Sequence, residues 1–263
     1  MSNKAENRLP FRPFGWKYDL PGPNEESVTQ PHASLLSTPN HLDEVYMELP
    51  CATLQARGLG VWLTICICPA ILFFVMDLLS QQSTPPFGWS HLFLLAILAV
   101  GIYMSAYIWR MDMDAPVDEP IRFNRLRRKI YVYRFRHSLN LFNRTKWGVY
   151  PAAYDWDAVR AEFCSIYRPM GTGGLVQFVN LAVVDPRTGK ILDRLIFAHG
   201  RVQGEMYWAM AKLYMQQGPD AVPKFDRPPR DWNNEVHFEN IARRFAPRVK
   251  WPEVMDIESR SAG

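Results

Sequence analysis

Two apolar runs close together dominate the chain. They lie between residues 58 and 110. The first, about 60–79, reads GVWLTICICPAILFFVMDLL; the second, about 92–109, reads LFLLAILAVGIYMSAYIW. Each has about the ~20 residues that an α-helix needs to cross a bilayer core of roughly 30 Å. The first carries one charge, Asp77, about a turn from its end, and the second carries none. Buried helices of soluble proteins are usually amphipathic or charged over such a length. The segment between them, SQQSTPPFGWSH, is short and rich in turn formers. The expected unit is a transmembrane helical hairpin. A cleaved signal peptide is not expected, because the first run starts near residue 60 and a second follows at once.

Charge sets the expected orientation. Arg57 stands at the entrance of the first run and Arg110 at the exit of the second, and the joining loop has no Lys or Arg. The positive-inside bias then puts both termini on the cytoplasmic side, with the joining loop outside. Trp62, Trp89 and Trp109 fall near the expected interfaces. Pro69 can kink the first helix. Gly101 and Ser105 form a small-xxx-small pair, which chance also produces. Cys66 and Cys68 project to different sides of a helix, so they are expected to be small apolar packers and not a redox pair. No Cys/His spacing suits zinc.

The chain has 263 residues and a net charge of +4, which fits one medium domain beside an anionic leaflet. The charge is too small to indicate nucleic acid. Residues 1–57 are polar and broken by proline. The aromatic cluster Phe11, Phe14, Trp16 and Tyr18 is expected to pack on the folded domain or a partner. A short helix capped by Asn40 is expected to lead into the membrane. Residues 111–120, MDMDAPVDEP, contain Asp112, Asp114, Asp118 and Glu119 without the glycine and terminal glutamate of a calcium loop. They are expected to form a solvated acidic linker.

Residues 121–218 change character. IRFNRLRRKIYVYRF alternates on either side of a basic turn, as a β-hairpin does. Arg122, Arg125, Arg127, Arg128, Lys129 and Arg134 make it the most basic stretch. It could touch anionic headgroups, or its charges could simply block edge pairing. A strand and turn are expected over 139–150, then a turn at Asp155 and another strand. Gly171 to Gly174 suits a tight connection and lacks the context of a phosphate loop. LVQFVNLAVVD (175–185), PRTGK and ILDRLIFAHG (191–200) form the clearest hairpin. Residues 201–217 carry one apolar stripe at helical spacing, stopped by Gly218 and Pro219. Residues 219–263 are a proline-rich charged extension with a short helix around 233–245. Glu235, His237 and Glu239 alternate and would not converge on one ion on a helix.

The order of these parts carries a family resemblance. A polar lead with GW…LP, the apolar hairpin, IRFNRLRRKIYVYRF, YDWDAV, LAVVD-PRTGK-ILDRLIF and a helix ending YMQQGP follow one another. The arrangement resembles an uncharacterised family of bacterial two-span membrane proteins, often encoded beside type VI secretion effectors with PAAR or Rhs modules. The strands and closing helix also look like a pleckstrin-homology-like split barrel. The resemblance implies an immunity protein that neutralises a co-encoded toxin, or an accessory protein of the secretion pathway. The fold class expected is α+β: a transmembrane hairpin plus a cytoplasmic antiparallel domain closed by a helix. Trp147, Trp156 and Trp232 are candidate partner anchors, because Trp is enriched at interface hot spots. Expected partners are an effector protein and anionic lipid. No catalytic residue, metal ligand or cofactor is expected, and the chain is not expected to be an enzyme.

Overall fold

The computed structural model describes residues 12–26, 38–51, 57–80, 89–167, 174–225, 227–231, 233–234 and 240–263. The first apolar run forms helix α1, Leu59–Ser80, and the second forms α2, Trp89–Asp114. Both are long and apolar enough to cross a membrane. They pack on each other but bury little else: only 12% of the apolar window of α1 and 11% of that of α2 is covered. A core helix of a soluble domain would be mostly buried. Ser105 is buried against α1, where Thr64 Oγ1 lies 3.5 Å from its carbonyl. Gly101 faces Ile71 at ordinary contact distance, so the small pair does lie on the helix seam. Cys66 and Cys68 are exposed on α1 and do not pack, contrary to expectation.

The remaining strands form two antiparallel sheets. One contains β1 (Trp16–Asp19), β7 (Val159–Tyr167), β8 (Leu175–Val184) and β9 (Ile191–His199), in the order β1-β7-β8-β9. The other contains β2 (His41–Leu42), β3 (Tyr46–Leu49), β4 (Ile121–Asn124), β5 (Lys129–Arg136) and β6 (Gly148–Asp155), in the order β2-β3-β4-β5-β6. The sheets are not closed into a barrel. The class is mixed helix and antiparallel sheet, as the patterning indicates. Helix α3, Arg201–Gln217, covers the core with the stripe that includes Tyr207, Met210 and Tyr214. Gly204 lets it sit close: a Cβ there would lie 2.3 Å from Val179 Cγ2.

In the N-terminal half and the linker two expectations fail, and the packing expected of the aromatic cluster is found for Tyr18. The text after Asn40 is a hairpin and not a helix. Asp43 Oδ1 accepts the N–H groups of Val45 and Tyr46 and closes the turn. Met47 and Leu49 then enter the core while Glu48 faces the other way. The aromatic lead is also a strand, β1, pairing with β7; Tyr18 packs on Phe163, Phe14 is exposed, and Phe11 lies outside the described residues. The acidic linker is not solvated. Asp112, Asp118 and Glu119 are all buried, because each carboxylate accepts backbone N–H groups.

The C-terminal part is not an extension. Helix α4 (Ile241–Arg244) and helix α5 (Glu253–Arg260) belong to an arm that lies over the outer face of the β2–β6 sheet. Tyr133 packs on Trp251 at 5.2 Å and its hydroxyl accepts the Lys250 N–H. Sheet and arm together bury both faces of β4 and most of β5, so Tyr131 and Tyr133 are as buried as Ile130 and Val132. The segment 139–147 is a loop with a 3-10 turn, and the strand starts later, at Gly148. Glu235, His237 and Glu239, most of the 171–174 turn and the α1–α2 connection lie outside the described residues.

Candidate functional site

A cleft of about 700 Å³ opens between the outer face of the β2–β6 sheet and the C-terminal arm. One wall is Asn40, His41, Tyr46 and Glu48 from the N-terminal hairpin, with Asp118 and Arg122 beside them. The other wall is Asp231, Asn233, Lys250, Trp251, Asp256 and Arg260. Asn233 fastens the arm by exchanging two hydrogen bonds with the backbone of Val249.

Arg122 is the centre of the site. It is 3% exposed, which a lone cation could not tolerate. Its Nε donates to Glu48, and the same guanidinium donates to Asp256 at 2.6 Å and to Ser259 Oγ at 2.8 Å. It also lies 4.5 Å from the centroid of the Trp251 ring. Asp256 is shared with Arg260 at 3.2 Å. His41 stacks on Tyr46, at 4.2 Å between centroids, and bonds Asp43 at 2.7 Å. Burial works against the Asp43 carboxylate, but the bonds from His41, Tyr46 and Val45 hold it below its ordinary range.

Two polar atoms are buried here without a partner in the described structure, Asn40 Oδ1 and Trp251 Nε1. One accepts and one donates. The walls carry both signs of charge: Arg122, Lys250 and Arg260 against Glu48, Asp118, Asp231 and Asp256. Such a lining suits a ligand with donors, acceptors and both charges, as a polypeptide has. Among the described residues no group of three His, Cys, Asp or Glu side chains is placed to hold a metal.

Asp118 gives the cleft a pH response. Its carboxyl accepts from the N–H groups of Cys51 and Glu119 and from Asn40 Nδ2. Burial nevertheless pushes it up from 3.8 to about 6. The folded chain therefore keeps a proton that the unfolded chain releases, and stability falls as pH rises from about 4 to about 6. The ionised group costs on the order of 3 kcal/mol at neutral pH. Asp118→Asn removes that charge and keeps an acceptor for the two backbone groups. Its new amide can donate to Asn40 Oδ1 after that side chain flips. The variant should melt about 5 °C or more above the parent at neutral pH, and the difference should vanish near pH 4. Melting curves of the detergent-solubilised protein across that range check it.

The basic hairpin does not form one open face. Arg125 is near Glu44, Arg127 donates to the carbonyls of Ser261 and Ala262, and Arg128 binds Asp157 and Asn24. Lys129 binds Glu258 at 2.9 Å and Arg134 binds Asp193 at 3.1 Å. Only Arg122 of the six lines the cleft. Of the expected anchors, Trp156 is wholly buried, Trp147 is buried at the foot of α2, and Trp232 lies outside the described residues. Apart from Arg122, the residues that make the cleft were missed because they come from segments expected to be helix, linker and tail. The alternation Tyr46-Met47-Glu48-Leu49 was the available signal for one wall.

Residues 98–263 match a family of unknown function, DUF6708. The chain belongs to this family. The DUF6708 match begins within α2 and takes in the arm, Asp118 and Arg122; β1 to β3, with Asn40, His41, Tyr46 and Glu48, precede it. No curated protein and no solved structure matches the chain.

Proposed function

We propose that this DUF6708 protein is a membrane-anchored binding protein that docks a polypeptide partner in the cleft beneath its C-terminal arm. The observation that carries the reading is the pairing of an uncovered apolar hairpin with an open cleft lined by both charges. In this reading α1 and α2 span a bacterial inner membrane, with both termini in the cytoplasm; the flanking Arg57 and Arg110 support that orientation. The partner is a co-encoded type VI secretion toxin, and the chain is its immunity protein. That assignment rests on the family resemblance in the order of motifs. A toxin acting in the cytoplasm or at the inner membrane fits this topology. The reading gives the chain no chemical step. The likeness to a pleckstrin-homology-like fold is kept as an analogy, and no lipid pocket is drawn from it.

The test is co-expression of the full-length chain with the effector encoded beside it. A complex should elute in mild detergent. Lys250→Glu with Arg260→Gln, both exposed on the cleft rim and the glutamine keeping a donor for Asp256, should weaken it about tenfold, ~1.4 kcal/mol, while leaving the melting temperature within a few degrees of the parent. An effector that fails to bind, or binds the double variant equally well, would remove the cleft from this role. A C-terminal reporter found outside the cytoplasm would remove the topology.

A further inference from the structure

The connection between β5 and β6 does not turn back tightly, as the hairpin it closes would allow. It runs along the side of α2. Tyr103 Oη donates to the Leu139 carbonyl at 2.6 Å, Tyr107 Oη meets His137 Nδ1 at 3.1 Å, and Arg110 donates to the Leu141 carbonyl. Trp147 wedges the base of the loop against Tyr107 and Arg110, at 6.0 and 4.4 Å.

We infer that this loop is a third membrane contact: its tip, Leu139 and Phe142, enters the acyl boundary of the leaflet that α2 leaves. The inference rests on the reading of α2 as a span. Three observations support it. The first is depth. Arg110 is the first charge after the apolar run, so it belongs at the headgroups. Tyr103 is two turns earlier, roughly 10 Å deeper at the helical rise of about 1.5 Å per residue. The Leu139 carbonyl touches the Tyr103 hydroxyl and the Leu141 carbonyl touches Arg110, so the tip lies between the headgroups and the depth of Tyr103.

The second is what faces outward. Leu139 is 70% exposed and Phe142 is 86% exposed, beside a helix surface that is itself uncovered and apolar. The third is what faces inward. Irregular backbone survives at membrane depth only when its polar groups are satisfied by protein. Here the carbonyls of Leu139 and Leu141 are taken by Tyr103 and Arg110, and that of Asn140 by Trp147 Nε1 and by the Asn143 N–H. The N–H groups of Asn140 and Phe142 go to Ser138 Oγ and Asn140 Oδ1. A water-exposed loop has no need to tie these three carbonyls to α2 and Trp147 while presenting Leu139 and Phe142 outward.

The test uses the full-length chain with Cys66 and Cys68 changed to Ala, reconstituted in vesicles of phosphatidylcholine and phosphatidylglycerol. The buried Cys51 and Cys164 stay in place, and three sites in turn receive an exposed cysteine carrying the same fluorophore: Phe142→Cys at the tip, Ile97→Cys on the exposed face of α2, and Arg187→Cys in the β8–β9 turn as the aqueous reference. Aqueous iodide and doxyl lipids are the quenchers. The expected result is loss of iodide quenching at position 142 with stronger quenching by a shallow doxyl than by a deep one. Iodide quenching at 142 equal to that at 187, with position 97 shielded, would overturn the loop insertion and leave the span intact. Iodide access at 97 would overturn both. Leu139→Cys repeats the measurement should the first label disturb the tip.

Discussion

Trp156→Ala is expected to lower the free energy of unfolding by about 3–5 kcal/mol, the usual cost of removing a large aromatic side chain from a packed core. Its indole has no exposed surface. It packs on Trp208 at 5.1 Å and edge-on to Phe123 at 6.0 Å, so it joins α3 to the β4 strand. Nothing nearby can collapse cheaply into the space, because Trp208 is itself fixed by a hydrogen bond to the Pro21 carbonyl at 2.8 Å. Trp156→Phe should cost much less than alanine. The Trp156 Nε1 group has no hydrogen-bond partner among the described residues, so the lost N–H takes no bond from them with it. Denaturant unfolding in detergent, followed by near-ultraviolet circular dichroism, checks both. The same pair of variants separates core from anchor. A partner anchor would lose binding in the phenylalanine variant at full folding, whereas a core residue would not.

The parts of the fold that were legible are those whose pattern is local. The apolar runs of α1 and α2 need only length and absence of charge. The β8–β9 hairpin alternates around PRTGK and is found as β8 Leu175–Val184 and β9 Ile191–His199. Helix α3 shows a stripe at three- and four-residue spacing and ends where Gly218 N–H bonds the Tyr214 carbonyl. The parts that were not legible depend on contacts far along the chain. Arg122 looks like a surface cation because the residues that neutralise it, Glu48 and Asp256, are 74 and 134 positions away. Tyr131 and Tyr133 look like the solvent face of a half-buried strand until the C-terminal arm is laid over them. The first two β-strands are four and two residues long. So short an alternation cannot be told from a proline-rich tail. The cleft inherits this problem, since one of its walls comes from the short β2–β3 hairpin and the other from the C-terminal arm.

The second large effect concerns the place where the apolar hairpin meets the domain. Replacing Arg57 or Asp112 by alanine is expected to cost about 3–5 kcal/mol each, the usual range when one member of a buried charged set is removed. The two residues cap each other's helix. Asp112, in the last turn of α2, accepts from the N–H groups of Gly58 and Val61 at the start of α1, both at 3.1 Å. Arg57, just before α1, donates to the carbonyls of Asp112, Ala115 and Pro116 at the end of α2. An anion thus sits at the positive end of one helix and a cation at the negative end of the other, as the helix dipoles favour. Burial pushes Arg57 down to about 10, which still leaves it charged at neutral pH. The Arg57 carbonyl in turn accepts from Asn240 Nδ2 at 2.7 Å, so the cap of α4 is tied to the same point. Gly58 is obligatory there: its φ is +92°, and a Cβ would lie 2.6 Å from Asn240 Oδ1. Because each side chain fastens its own helix end to the other's, the two share one junction and their losses should not add. The double variant should cost clearly less than the sum of the singles, by about 1–3 kcal/mol. Asp112→Asn should fall between parent and alanine, since it keeps an acceptor for the two N–H groups but loses the charge. Thermal melts of all four proteins in one detergent decide it. Fully additive losses would mean that the two caps act independently and that the domain is not held to the hairpin through this pair.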